Sequence, residues 1–218
     1  MFKKSIIAAA IVSVGFVAQA TAATLNGTFT IDIYQGTGLN SAQSSALKSN
    51  LGGSNSTLLD TITYTGDLDF STNNGTATTI ESWLNTGGGT YTLNNPIGGL
   101  TLSEPSISNG TARTTWFDIF GVFASGFDSM ISHDDGISVF DDGVEIAEKS
   151  APTTVVDTAA LGFNGGEWNL LYAATNSDPS VLKVTGDSLP STVPLPAGLP
   201  LLLAGLGTFA WMRRRKAA

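Results

Sequence analysis

The sequence has no cysteine and a single histidine, His133. Disulfide bonds are therefore excluded as a source of stability, even for an exported chain in which they would be allowed. Zinc sites built from histidine and cysteine are excluded too, as is the His-Glu-x-x-His motif of metalloproteases. Stability must come from one hydrophobic core, with or without a bound metal, and the length is sufficient for one domain.

Basic residues are scarce between residues 23 and 193. This stretch holds all 18 acidic residues and only four of the ten basic ones, so its formal charge is −14, against −8 for the whole chain. A polyanionic surface argues against nucleic acid as a partner, because phosphates are bound by lysine and arginine. It is compatible with bound divalent cations and equally with simple solubility.

Residues 1–22 have the three regions of a secretory signal peptide. Lys3 and Lys4 form the positive start, residues 6–17 form an apolar centre, and small residues follow. The sequence therefore predicts export, with cleavage after Ala20 or after Ala22. An uncleaved membrane anchor is the alternative interpretation.

The last 26 residues combine a proline motif, an apolar run and a basic end. Residues 195–212 carry no charge, and a helix of that length reaches roughly 27 Å, close to the ~30 Å hydrocarbon core of a bilayer. We predict a transmembrane helix whose basic end stays cytoplasmic; a buried core helix is the alternative. The motif consists of Val193, Pro194, Leu195, Pro196 and Ala197. The basic end consists of Arg213, Arg214, Arg215 and Lys216.

This tail, residues 193–218, resembles the bacterial C-terminal sorting signals called PEP-CTERM, in the variant that opens with Val-Pro-Leu-Pro-Ala. The resemblance implies a transient anchor in the inner membrane, removed near the proline motif by a membrane-embedded exosortase. It also implies that the mature protein passes to the cell surface or to an exopolysaccharide matrix. Residues 188–192 are predicted to be an exposed spacer before the signal.

The middle of the chain is typical of an all-β protein. Short alternating apolar runs lie between turn residues, as in residues 24–34, and Asp142-Gly143 between two such runs predicts a tight hairpin. We predict a single β-sandwich or jelly-roll-like domain over residues 23–187. Helical spacing of apolar residues predicts one short helix over residues 41–51, while residues 80–84 fit a strand or a helical turn. Further strands are predicted over residues 116–123, 127–132, 153–161, 166–173 and 181–184, and a turn over residues 73–75.

A second resemblance rests on the order of short motifs in residues 60–184. Residues 132–136, 139–143 and 165–172, with residues 63–66 and 81–84 before them, are similar to the protective-antigen-type β-sandwich domain found in secreted PEP-CTERM proteins. The resemblance implies a sandwich fold. Some sugar-binding members of that wider fold hold Ca²⁺ with two adjacent aspartates, which implies a calcium site here.

Asp134 and Asp135 match that aspartate pair. Calcium prefers hard oxygen ligands, and adjacent carboxylates in one loop can supply several of them. Asn176 and Asp178 are candidates for further ligands from a second loop, although no motif supports them. The alternative is that Asp-Asp-Gly is only a turn, in which aspartate bonds its own backbone.

No pattern in the sequence specifies catalysis. Ser132, His133 and Asp134 are contiguous, so on a strand they point to alternating faces and do not converge as a triad. We therefore predict His133 to be a hydrogen-bonded residue at a strand end. Carboxylate pairs for glycoside hydrolysis meet in space and not in sequence, so the 18 acids identify none. Core packing, rather than stacking on sugars, is predicted for Trp83, Trp116 and Trp168.

These features predict an exported, non-catalytic protein of the cell surface or exopolysaccharide matrix, with an exosortase and transiently the membrane as partners. One alternative is a calcium-dependent carbohydrate-binding module, a lectin or adhesin that recognises exopolysaccharide or surface glycans. Another is a secreted polysaccharide hydrolase. No partner among nucleic acids is predicted.

Overall fold

The computed structural model describes residues 22–72, 78–104 and 112–186. β-strands dominate these ranges and form two sheets. The predicted signal peptide up to residue 21, the turn at residues 73–75, the spacer and the C-terminal sorting signal lie outside the described residues. None of the helices found in the described ranges is both long and apolar enough to cross a membrane.

The strands are numbered in chain order. They are β1 Ala23–Thr24, β2 Asn26–Leu39, β3 Thr57–Asp67, β4 Asp69–Ser71, β5 Thr90–Tyr91, β6 Ala112–Phe123, β7 Phe127–Asp134, β8 Ile137–Asp141, β9 Val144–Lys149, β10 Val156–Phe163, β11 Gly166–Ala174 and β12 Val181–Gly186. The helix α1 spans Ile80–Thr86, and a 3₁₀ turn spans Lys48–Asn50.

The two sheets are antiparallel and of unequal size. The smaller has the order β1-β12-β7-β10, with β4 also paired to β12, and the larger has the order β5-β3-β2-β6-β11-β8-β9. One hydrophobic core includes residues from both sheets and from α1. This arrangement confirms the predicted all-β sandwich with a short helix. The largest fully buried side chains of the core are Trp83, Trp168, Tyr64, Tyr172, Phe29, Phe70 and Phe117.

Alternation along the strands explains which face is buried. In β2, Phe29, Ile31 and Ile33 are buried, whereas the polar residues between them lie on the outer face. The predicted hairpin is also confirmed: Asp142 and Gly143 connect β8 to β9 with φ values of 45° and 79°. Both features depend on local sequence, which makes them readable without the structure.

The predicted helix over residues 41–51 is wrong, because this segment forms turns and a single 3₁₀ turn. Its polar side chains take backbone groups that a helix would need. The Asn50 amide donates to the carbonyls of Ala42 and Ser45 at 2.9 Å each, and Asn40 and Gln43 cap each other's backbone N–H groups.

The α-helix forms instead over Ile80–Thr86, where the sequence left strand and helical turn open. Thr79 and Ser82 form a reciprocal capping box at its start. Ile80, Trp83 and Leu84 are fully buried, and their spacing places them on one helical face. The capping residues and the apolar face therefore both favour a helix here, whereas in residues 41–51 the apolar spacing is accompanied by side chains that bind the backbone in other ways.

Residues 40–56 cover part of the outer face of the larger sheet. A separate buried cluster lies there, formed by Leu39, Ala46, Trp116, Leu171 and Ala173. The Trp116 indole donates to the Ser45 carbonyl at 3.0 Å. Since Trp83 and Trp168 are also fully buried, the prediction that the three tryptophans pack in the interior is confirmed.

Candidate functional site

The candidate site lies where β7 ends, beside the connection between β11 and β12. A cavity of about 340 Å³ opens there. It is lined by Asp134, by residues 152–154 before β10, and by residues 176–179 before β12. Two strand pairings bring these segments together: Asp134 lies opposite Val181 of β12, and His133 lies opposite Val156 of β10.

The aspartate pair has one member on the cavity wall, Asp134, and one buried behind it, Asp135. Asp135 is fully buried, Asp134 is 5% exposed, and the peptide bond between them is cis. The Asp135 carboxylate accepts hydrogen bonds from the backbone N–H of Thr175 at 2.8 Å and of Thr153 at 3.2 Å. It also accepts one from the Asn176 amide at 3.3 Å. One carboxylate therefore joins all the segments that line the cavity.

Burial shifts the acidity of both carboxyl groups. Desolvation raises the pKa of Asp135 to about 7, although the Thr175 N–H lowers it in part, and the charge of Asp134 raises it further. Desolvation likewise raises the pKa of Asp134 to about 6, against a lowering contribution from the Val155 N–H. A bound cation would favour the ionised form of both groups, since it would offset the cost of burying their charge.

The backbone of the pair is held by two buried side chains. His133 donates from Nδ1 to the carbonyl of Asp135, and its Nε2 accepts from Thr158 Oγ1 at 2.8 Å. Burial lowers the pKa of His133, which favours the neutral imidazole. The Asp135 carbonyl can only accept a hydrogen bond, so the proton of the ring lies on Nδ1. The Tyr172 hydroxyl donates to the carbonyl of Asp134. The prediction that His133 is a hydrogen-bonded strand-end residue is therefore confirmed.

The second loop brings Asn176 and Asp178 to the same cavity as Asp134. Asn176 and Ser177 have positive φ values of 62° and 72°, a region that asparagine tolerates better than most residues. Asp178 accepts a hydrogen bond from Thr78 Oγ1 at 3.1 Å. The structure thus places together the four acidic and amide residues that were candidates from the sequence.

Several groups at the site carry no signal in the sequence. Thr153 and Thr175 act through their backbone N–H groups, so their side-chain identity does not reveal their role. Pro152 and Thr154 line the cavity only because the segment before β10 passes beside the aspartate pair. Finding these residues from the sequence would have required knowing which distant strands pair, and in which register.

The atoms that this site could offer to a metal ion are carboxylate, amide and hydroxyl oxygens. No basic side chain is present among the lining residues. Over the described ranges, no group of three or more histidine, cysteine, aspartate or glutamate residues has a metal-binding arrangement. Calcium takes about 6 to 8 oxygen ligands. The carboxylates would therefore supply only part of a calcium shell, and the remaining positions would go to amide or backbone oxygens, water or a ligand.

The fold and the site define an all-β sandwich with an acidic cavity at the end of its strands. No protein-family model matches the chain, and no curated protein does. The PA14 domain of the antifreeze protein MpAFP is similar in structure, with 15% identity, a TM-score of 0.46, and coverage of 80% of this chain and 89% of that one. The PA14 sugar-binding domain from an RTX adhesin has 12% identity, a TM-score of 0.40, and coverage of 73% and 87%. Values this low assign neither a family nor a ligand, so both resemblances seen in the sequence stay predictions.

Proposed function

We propose that this protein is an exported, non-catalytic surface or matrix protein whose β-sandwich domain binds carbohydrate through calcium. The observation that carries this proposal is the acidic cavity that Asp134 shares with Asn176 and Asp178, with Asp135 buried behind them. The atoms that the cavity could offer to a metal ion are hard oxygens, and no basic side chain on the cavity wall competes with a cation.

Asp134 and Asp135 would hold the calcium ion through their carboxylates. Asn176 uses its amide nitrogen to bond Asp135, which leaves its amide oxygen for the ion, and Asp178 would add a carboxylate at the rim. When bound, calcium supplies a positive centre whose free coordination positions accept paired hydroxyl groups of a sugar. The hydroxyls and amides of the cavity wall would then orient the sugar by hydrogen bonds.

The ends of the described domain lie away from the cavity, which supports presentation at a surface. Ala23 of β1 pairs with Gly186 at the end of β12, whereas Asp134 pairs with Val181 at the start of β12. The cavity and the two points at which the domain joins its flanking segments are therefore separated by the length of β12, about 17 Å. A domain attached through its flanks would direct the cavity away from the attachment.

The test is a glycan array probed with the purified protein in calcium and in EDTA. We expect binding in calcium, loss in EDTA, and loss in Asp134→Asn, which removes one charge while keeping the size of the side chain. Glu145→Ala, which removes an exposed carboxylate on β9, serves as the matched control and should bind normally. Titration calorimetry that detects no heat at millimolar calcium would show that the aspartates form only a turn.

The proposal includes sorting by an exosortase, which rests on the proline motif, the apolar run and the basic end of residues 193–218. We expect mass spectrometry of the mature protein from its host to find an N-terminus at Thr21 or Ala23. The C-terminus is expected near the motif at residues 193–197. A mature protein that still ends at Ala218 would contradict exosortase processing.

The absence of a catalytic function likewise stays a prediction, which reducing-end assays on the host exopolysaccharide would check.

A further inference from the structure

A second polar surface lies on the outer face of the larger sheet, where β2, β3 and β5 run side by side. We call it the threonine face. Its members are exposed and belong to β2, β3, and β5 with the residues after it: Thr28, Thr30, Thr61, Thr63, Thr65, Thr90 and Thr92. The strand register places Thr30 opposite Thr63, and Thr65 opposite both Thr28 and Thr90. The hydroxyls and methyls therefore form rows across three strands.

The threonine face is concave. A cavity of about 430 Å³ lies over it, lined by threonines of all three strands and by Tyr91 and Asn94. A second cavity of about 510 Å³ is lined by Glu81, Asn85 and residues 89–93. Because Thr90, Tyr91 and Thr92 line both cavities, the two cavities are adjacent at this segment, and we call them together the groove.

The wall of this groove is held in place by side-chain hydrogen bonds. The Asp60 carboxylate accepts from the backbone N–H groups of Asn94 at 2.8 Å and Asn95 at 3.1 Å. The Asn94 amide donates to the Thr61 carbonyl at 2.7 Å. On the other side, the Tyr91 hydroxyl donates to the Asn85 amide oxygen at 2.9 Å. The groove is therefore preformed, which lowers the entropy cost of binding a ligand.

Many of the polar groups in the groove are free for a ligand. Thr28 and Thr65 bond each other at 3.0 Å, and Thr61 donates to Asp32 at 2.6 Å. The hydroxyls of the other four threonines make no hydrogen bond to another described residue. The first cavity has no charged lining residue. The charged groups that bond to its lining are the carboxylates of Asp32 and Asp60, and Glu81 lines the second cavity, so the charges identified beside the groove are acidic. A neutral, hydroxyl-rich ligand fits these properties, whereas an anionic one would be repelled.

We propose that this groove binds an extended chain of an uncharged polysaccharide without calcium. Threonine hydroxyls and the amides of Asn85 and Asn94 would exchange hydrogen bonds with sugar hydroxyls, while threonine methyls would contact the apolar faces of the rings. Two adjacent cavities that share the lining of β5 suit a polymer better than a single sugar, because a polymer can occupy both at once. This site shares no lining residue with the acidic cavity, so it stands or falls independently of the proposed calcium site.

The experiment is native affinity electrophoresis with EDTA in every gel. The gels contain hydroxyethylcellulose, laminarin or dextran as neutral polymers, alginate as an anionic polymer, or no polymer. We expect at least one neutral polymer to retard the protein and alginate to have no effect. Thr63→Lys, which fills the centre of the groove, should weaken the retardation about tenfold, equivalent to ~1.4 kcal/mol.

Thr57→Lys is the matched control, because Thr57 is exposed on the same strand but lies opposite Gln35, beyond the bulge and outside the groove. Both variants add one positive charge, so the charge changes their mobility in the polymer-free gel equally. A difference between them in the polymer gels therefore reports on polymer binding. Asp134→Asn should be retarded as strongly as the unmodified protein, which separates this site from the calcium site. The proposal is overturned if no neutral polymer retards the protein, if alginate retards it equally, or if both lysine variants behave alike.

Discussion

Replacing Trp83 with alanine is expected to lower the free energy of unfolding by about 4 kcal/mol. The Trp83 ring is fully buried and stacks on Phe70 of the smaller sheet and on Phe117 and Tyr172 of the larger one, with centroid distances of 4.5, 4.4 and 5.4 Å. Its indole N–H donates to the Ser180 carbonyl at 3.1 Å. The substitution therefore leaves a large cavity and removes one of the two hydrogen bonds that the Ser180 carbonyl accepts, the other coming from the Thr72 N–H at 3.1 Å. Urea denaturation monitored by circular dichroism measures the change.

Trp83→Phe is the control for this prediction. It keeps an aromatic ring between the two sheets but removes the N–H donor and part of the volume, so we expect less than half of the loss caused by alanine. A loss below about 1 kcal/mol for Trp83→Ala would contradict the view that this ring joins the sheets. Both variants lose the hydrogen bond to Ser180, which follows the loop that carries Asn176 and Asp178, so both should bind calcium more weakly than the unmodified protein.

Much of the fold could be predicted because its strongest signals are local. The alternation of Phe29, Ile31 and Ile33 identifies a half-buried strand without any knowledge of its partners. The Asp142-Gly143 turn is equally local, since the required positive φ values limit the residues that can occupy it. Neither signal tells which strands pair, however. The order β5-β3-β2-β6-β11-β8-β9 joins segments that are distant in sequence.

The misplaced helix shows where apolar spacing alone is insufficient. Residues 41–51 have the spacing of a short helix, but Asn40, Gln43 and Asn50 bind the backbone in other ways. Residues 80–86 have both the spacing and a capping box. A search for caps beside each apolar pattern would have favoured the second segment.

The candidate site was predictable only in part. The adjacent carboxylates of Asp134 and Asp135 are visible in the sequence, whereas no motif marks Asn176 and Asp178. Their meeting depends on the pairing of β7 with β12, which no local pattern contains. The groups that hold Asp135 in place are backbone N–H groups of Thr153 and Thr175. Almost every residue has a backbone N–H group, so the sequence does not show which of these groups bind Asp135.

Calcium is expected to stabilise the protein much more at neutral than at acidic pH. In the folded protein, burial raises the pKa of Asp135 to about 7 and of Asp134 to about 6, whereas the ordinary value is 3.8. The folded state therefore holds more protons than the unfolded state between pH about 4 and about 7. Without calcium, these two groups lower the stability by a few kcal/mol as the pH rises through this window.

His133 contributes in the opposite direction, because burial lowers its pKa below the ordinary 6.5. The unfolded state binds that proton more readily, so stability is lost as the pH falls below about 6.5. Comparison with Asp135→Asn, which keeps His133, isolates the aspartate contribution. In EDTA, we expect the melting temperature of the variant to fall less than that of the unmodified protein as the pH rises.

Calcium bound at the proposed site would reverse the aspartate contribution, since the ion would bind the carboxylates only after they lose their protons. Differential scanning fluorimetry at pH values from about 4.5 to 8, with calcium or EDTA, measures the effect. We expect the increase in melting temperature caused by calcium to grow with pH and to vanish in Asp135→Asn. An increase of equal size at all pH values, or one that persists in the variant, would place the calcium elsewhere, because only ions bound to these two carboxylates must compete with their protons.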